Sequence, residues 1–287
     1  MAPPFAVVAQ ILVNGVMTGG LYALEAMGLM VIYGVLKILN FAHGELILIG
    51  AYLTFMFYPI SPYLGIVLSI PVLAVIAVAV QKSILTERVM KNENAPLIVT
   101  FGLSLILQNT LFVIFTGNAA GVQLGLGSFE VWGVFFPFST VVATLVAIAT
   151  LVTIYLYLTR TLSGTMIRAA TESPVDAELV GIDVRRVRLL AFILGAVLAG
   201  FSGSILIVQY SVTPYSGLVF TLTAFTLITL GGSSIPGLVA GGLILGIAQS
   251  VWGTYFPVAY TSAVTFVIFL VVVVVRPSGL FGKGGRS

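Results

Sequence analysis

Apolar runs of about twenty residues recur along the whole chain, each interrupted by a short polar stretch. A helix of about 20 residues crosses the roughly 30 Å hydrocarbon core of a bilayer. A transmembrane β-barrel would instead show ~10-residue segments of alternating polarity, which the pattern lacks. Beyond residue 80 the runs fall near 95–116, 134–159, 189–208, 217–232, 237–254 and 258–275. Before it, the run 5–36 is too long for one straight span, and 45–59 and 62–80 follow. The pattern predicts an all-α, polytopic helical membrane protein. It is one domain over 1–287, with about eight to ten transmembrane or half-spanning helices.

Composition sharpens this reading. The chain is 59% hydrophobic and 7% charged, against about a quarter charged in soluble domains. With no cysteine, disulfides, thiolate metal sites and redox chemistry drop out. The start MAPPFAVVAQ has no positive n-region, which argues against a cleaved signal peptide.

The placement of charge gives orientation. Eleven of the 12 basic residues fall in three segments: Lys82, Arg88 and Lys91; Arg160 to Arg188; and Arg276, Lys283 and Arg286. The positive-inside rule puts all three, and so the C-terminus, in the cytoplasm. The stretches 117–133, 209–216 and 254–258 contain no Lys or Arg and read as outside. Two runs separate the first basic segment from the second and four separate the second from the third, even numbers as the assignment requires. The side of the N-terminus stays open. Trp132, Tyr210, Tyr215, Trp252 and Tyr255 flank the outside stretches and fit an interfacial aromatic belt. The valine run 271–275 reads as lipid-facing.

Several chemistries are missing. No polar stretch is long enough for a soluble domain, there is no GxxxxGK[ST] phosphate loop and no HExxH, and a single histidine leaves no hydrolase triad. Transport is the better class than an intramembrane enzyme.

Three polar features stand out. Between Arg160 and Arg188 lie nine of the 21 charged residues. Within that loop Ser173 can cap a helix, Pro174 suits its first position and Asp176 meets its dipole, while Gly181 supplies a left-handed end. This predicts two turns over 174–180, too short to stand alone in water. The loop is either a solvated connection whose arginines fix topology or a docking helix. In the docking reading Leu179 and Val180 make the apolar contacts, with Glu172, Asp176, Glu178 and Arg185 at the rim.

The second feature is Asn40-Phe41-Ala42-His43-Gly44-Glu45, which breaks an apolar run with an amide, the sole imidazole and a carboxylate. Such groups at membrane depth face a bundle interior or a cavity. They either satisfy backbone groups freed where a helix breaks at Gly44, or they line or gate a solute path. Glu25 is the third, and it is either neutral, paired, or exposed to the path. On a continuous helix Glu25 and Asn40 would be roughly 20 Å apart. They therefore act at different depths, or the helix is broken between them. Gly15, Gly19, Gly20, Gly231, Gly232, Gly237, Gly241 and Gly242 permit close helix approach. Ser233-Ser234-Ile235-Pro236 reads as a turn or a broken helix.

Three blocks carry a resemblance. RAATESPVDAELVGIDVRRVRLLAFILGAVLAGFSGSI (168–205) resembles the cytoplasmic coupling segment and following span of branched-chain amino acid ABC importer permeases. NGVMTGGLYALEAMGLMVIYGVLKILNFAHGELILIGAY (14–52) is similar to that family's N-terminal signature, and AFTLITLGGSSIPGLVAGGLILG (224–246) to its glycine-rich C-terminal one. The blocks lie in family order and point to the smaller of two permease subunits. At Glu25 the family more often has an apolar residue, which puts a leucine-type substrate in doubt.

The resemblance implies a permease subunit of an ATP-driven importer for branched-chain or other small amino acids in the bacterial inner membrane. It further implies a second homologous permease, two cytoplasmic ATPases holding ATP and magnesium, and an external solute-binding protein. No cofactor is expected in this chain. Residues 160–188 become the coupling loop, with Glu172, Pro174, Asp176, Glu178, Leu179, Val180, Gly181 and Arg185 facing the ATPase. Glu25, Asn40, His43 and Glu45 are the candidates for the path or gate. A permease for urea or short-chain amides, and a proton-coupled carrier using Glu25, His43 and Glu45, stay open beside it.

Overall fold

The computed structural model describes residues 4–275 apart from 62, 93, 233, 258 and 259. Arg276, Lys283, Arg286 and Ser233 therefore lie outside the described residues.

The apolar runs form helices. In order they are α1 (Pro4–Leu36), α2 (His43–Phe57), α3 (Leu64–Ser83), α4 (Glu87–Met90), α5 (Ala95–Phe115) and α6 (Phe138–Arg160). There follow α7 (Leu162–Glu172), α8 (Pro174–Leu179), α9 (Val184–Leu206), α10 (Gly217–Gly231), α11 (Ile235–Tyr255) and α12 (Thr261–Val275). Among the described residues seven helices are long and apolar enough to cross a membrane, and α2 and α12 are shorter apolar helices. Every apolar run read from the sequence has become a helix. The run 5–36, longer than a single span requires, is one continuous 33-residue helix.

α1 is the axis of the bundle. It packs along α11 and α9, and against α6 and α10, while α2 and α3 lie on α9. Without a hydrophobic driving force between helices in lipid, close approach through small residues does the work. Gly15 and Gly19 on α1 meet Gly242 and Gly246 on α11 as two facing GxxxG pairs; a Cβ on Gly19 would stand 2.6 Å from the Gly242 carbonyl oxygen. On the other flank, Gly50 of α2 meets the carbonyl of Gly200, and Gly203 of α9 meets that of Ile47. Burial grades outward from this axis: 67% of the α9 span is buried but only 11% of α5, so α5 presents its side chains to lipid or to a partner. Val271, Val273, Val274 and Val275 are likewise exposed, but Val272 of the same run is buried, so the run is lipid-facing on all but one position.

One end carries a feature absent from the all-α reading. β1 (Ser128–Val131) and β2 (Val134–Pro137) form an antiparallel hairpin. Its two turn residues, Trp132 and Gly133, have φ of 54° and 81°, the positive values a two-residue primed turn requires. The side-chain amide of Gln10 clamps it to α1, accepting from Phe135 N at 2.7 Å and donating to Phe135 O at 3.0 Å.

Candidate functional site

α1 ends at Leu36, where Lys37 turns left-handed (φ 54°) and its amide donates to Tyr33 O. The chain then runs non-helically through residues 37–42 before α2 starts at His43. From Glu25 to Leu36 the helix advances roughly 16 Å, and six extended residues can travel roughly 20 Å back. The fold-back therefore returns the chain to the level of Glu25. His43 Nε2 lies 3.0 Å from the Glu25 carbonyl oxygen. A carbonyl only accepts, so Nε2 is the donor. Of the two sequence alternatives, the break is the one realised, and it brings Glu25 and His43 to one depth instead of separating them.

The break lies earlier than expected. Gly44 is inside α2, where a Cβ would overlap the Gly217 carbonyl oxygen; it serves close approach to α10. Nor do His43 and Glu45 satisfy most of the freed backbone. Thr100 of α5 accepts from Phe41 N and donates to Leu39 O, each at 3.3 Å. Thr221 of α10 accepts from Gly44 N at 2.9 Å and donates to Phe41 O. Asn40 closes the turn itself, its Oδ1 accepting from Ala42 N at 3.1 Å. Sequence reasoning missed the two threonines, because they are remote in the chain and hydroxyls are unremarkable in helices.

Glu25, Asn40, His43 and Glu45 are all buried. Glu25 faces the bundle and not lipid. Both its carboxyl oxygens, Asn40 Nδ2, His43 Nδ1 and Glu45 Oε2 have no hydrogen-bond partner among the described residues. The Glu45 carboxyl sits between the Ser104 hydroxyl and Gly217. Polar groups at such depth are normally paired or line a cavity.

A second polar chain, also missed, crosses the bundle one turn before Glu25. Tyr22 OH donates to Gln249 Oε1 of α11, and Gln249 Nε2 donates to Thr265 of α12 at 2.6 Å. Tyr210 joins it through hydrogen bonds with Tyr22 and Thr18. Tyr210 is thus tied into the protein, beyond the interfacial role its position suggested. A signal was present: Thr18, Tyr22 and Glu25 recur at helical spacing on an apolar helix.

At the opposite end, residues 160–188 form two helices where the sequence indicated one. α7 lays Gly164, Ile167 and Ala170 inward, and Thr171 meets Gly34 near the end of α1. α8 follows as expected. The Ser173 hydroxyl accepts from Asp176 N at 3.2 Å, with Pro174 in the first turn. At the far end Ile182 N donates to Ala177 O and Gly181 N to Glu178 O, with Gly181 at φ 87°. That pair of bonds is a Schellman cap. Ala177 alone on α8 is buried, whereas Val175, Leu179 and Val180 are 68%, 81% and 77% exposed. Glu172, Asp176 and Glu178 are exposed beside them. Arg185 is exposed too, but it pairs with Glu87 of α4 at 3.3 Å and so leans towards α4.

Irregular backbone is tolerated at membrane depth only where protein or a cavity surrounds it, and the fold-back inside this glycine-packed bundle marks a multi-pass membrane permease. Residues 11–273 match the family described as "Branched-chain amino acid transport system / permease component", and the chain belongs to that family. It is 34% identical to the high-affinity branched-chain amino acid transport system permease protein LivH of Salmonella typhimurium, over 99% of this chain and 98% of the relative. To the corresponding permease protein BraD of Pseudomonas aeruginosa it is 31% identical, over 96% and 95% of the two chains. A solved structure, PsaBC from Streptococcus pneumoniae in complex with Fab, aligns with a TM-score of 0.51 over 96% of this chain and 93% of that one. At 13% identity that likeness concerns the fold alone.

Proposed function

We propose that this chain is the smaller permease subunit of an ATP-driven importer for branched-chain or other small amino acids, with its C-terminus in the cytoplasm. The observation that carries the reading is α8: a capped two-turn helix at the end of the bundle that buries only Ala177 and exposes Val175, Leu179 and Val180. Too short to be stable alone, it is held by caps and by α7 and α9 and offers apolar side chains to something outside this chain. In the assembly the family implies, that something is one of two cytoplasmic ATPases, where ATP and magnesium reside. Glu172, Pro174, Asp176, Glu178 and Gly181 shape the contact around Leu179 and Val180, with Arg185 at its margin. A second homologous permease and an external solute-binding protein complete the importer.

Solute passes, in this reading, beside the fold-back. Glu25, Asn40, His43 and Glu45 hold unpartnered polar atoms at one region of the bundle, and a path for a zwitterion needs such groups without many fixed charges. The experiment is coexpression with the partner genes, purification through this chain, and leucine uptake into proteoliposomes. Copurification of an ATPase that Leu179→Asp abolishes is the expected result. An ATPase that binds the Leu179→Asp chain as well as the wild type would refute the docking assignment.

A further inference from the structure

Where α3 and α9 leave the apolar zone, a cavity of about 900 Å³ opens between the end of α3, α4 and the start of α9. Lys82, Arg88, Arg185, Arg186 and Arg188 line it, against two carboxylates, Glu87 and Asp183. Both carboxylates are engaged: Glu87 with Arg185 at 3.3 Å and Asp183 with Arg186 at 2.8 Å. Lys82, Arg88 and Arg188 have no carboxylate partner among the described residues. Arg188 Nε is buried and has no hydrogen-bond partner among the described residues. Leu85, Met90 and Leu189 supply an apolar wall, and the adjoining face of α3 exposes Val67, Ile70 and Val75 along its length.

Three uncompensated cations around a roomy cavity, with one donor already desolvated, call for an anion. The position selects the kind. The cavity lies at the boundary between an apolar span and water, with a greasy track leading away from it, so a phosphate diester can seat there while its acyl chains follow α3. We infer that this cavity binds a phosphate group, delivered as the headgroup of an anionic phospholipid. Basic pockets between transmembrane helices bind lipid headgroups by this means. Arg88 and Arg188 donate to the phosphate oxygens, Lys82 adds a point charge, and the ligand bridges α4 to α9. The inference does not depend on which solute the permease carries.

The test is native mass spectrometry of the full chain in detergent, titrated with phosphatidylglycerol, phosphatidylcholine or inorganic phosphate. Phosphatidylglycerol adducts should survive where phosphatidylcholine adducts do not. Lys82→Gln and Arg88→Gln should each weaken phosphatidylglycerol retention on the order of fivefold, the factor one near-surface cation contributes. Arg88→Lys should restore most of it. Lys82 and Arg88 are exposed, so these variants should fold, and an unchanged thermal midpoint in detergent checks that they do. Phosphatidylglycerol that resists competing inorganic phosphate identifies the lipid as the source. Displacement by inorganic phosphate alone, with no lipid preference, would support the anion site and replace the lipid by a soluble phosphate. Equal retention of both lipids with no phosphate effect, or retention unchanged in Lys82→Gln and Arg88→Gln, overturns the inference.

Discussion

Gly181 separates backbone strain from crowding unusually well. Its φ is 87°, yet a Cβ built there would meet nothing within 4 Å among the described residues. Substitution therefore costs only what the left-handed conformation costs: about 1–2 kcal/mol for an ordinary side chain, and more for a β-branched one. Asn tolerates the conformation best after Gly. The bonds at risk are Ile182 N to Ala177 O and Gly181 N to Glu178 O, which close a helix of six residues that has no length in reserve. A loss of about 2 kcal/mol shifts the ratio of capped to frayed α8 roughly thirtyfold. The series Gly181→Asn, Gly181→Ala, Gly181→Val should thus reduce solute uptake in that order, with Val down about tenfold or more. The assay is labelled leucine uptake into proteoliposomes, read beside ATP hydrolysis and expression. Expression should stay level, because no packing is disturbed. If Gly181→Val transports as well as Gly181→Asn, the cap does not support coupling and the reasoning fails.

Other outcomes follow from the bundle. Gly203→Ala places a methyl on the Ile47 carbonyl and should lower the thermal midpoint in detergent by the equivalent of about 3 kcal/mol, whereas Gly102→Ala, with nothing within 4 Å, should be neutral or stabilising by up to about 1 kcal/mol. Glu25→Gln keeps shape and should leave assembly intact while altering uptake rate or substrate range; an unchanged uptake profile would make the carboxyl structural. His43→Ala removes the donor to the Glu25 carbonyl and should impair uptake more severely than Glu25→Gln, a ranking the same vesicle assay reads. Tyr22→Phe strips the hydrogen bond from Gln249 and should cost about 1–3 kcal/mol in thermal stability.

The helices were legible because span length and apolar continuity are local properties. So was α8, whose Ser173, Pro174 and Gly181 each have a single-residue mechanism. The run 5–36 matches the extent of α1; its continuity was not legible, since bilayer thickness sets how short a span can be and not how far a helix can continue beyond it. The depth relation between Glu25 and His43 could not be read by counting along a helix, because six residues of reversed chain cancel eleven residues of advance. Thr100 and Thr221 were invisible for a different reason. Their role exists only once α5 and α10 stand beside the break. The hairpin at Trp132 was missed because its strands are only four residues each and the apolar residues of β2, Val134–Pro137, were read into the run 134–159.

α1 is made first and enclosed last. Its neighbours α9, α10 and α11 begin about 160 residues or more after Glu25, and synthesis at roughly 5–20 residues per second delivers them about 10–40 s later. Through that interval the axis of the finished bundle stands among lipids or the insertion machinery. Its carboxyl lies mid-helix and its glycine stripe has nothing to grip. A charged carboxylate there would oppose insertion by about 3 kcal/mol, a cost that the apolar side chains of α1 must offset until its partner helices arrive. Mutations along the Gly15–Gly19 face should accordingly lower yield in the cell more than they lower the stability of whatever protein survives.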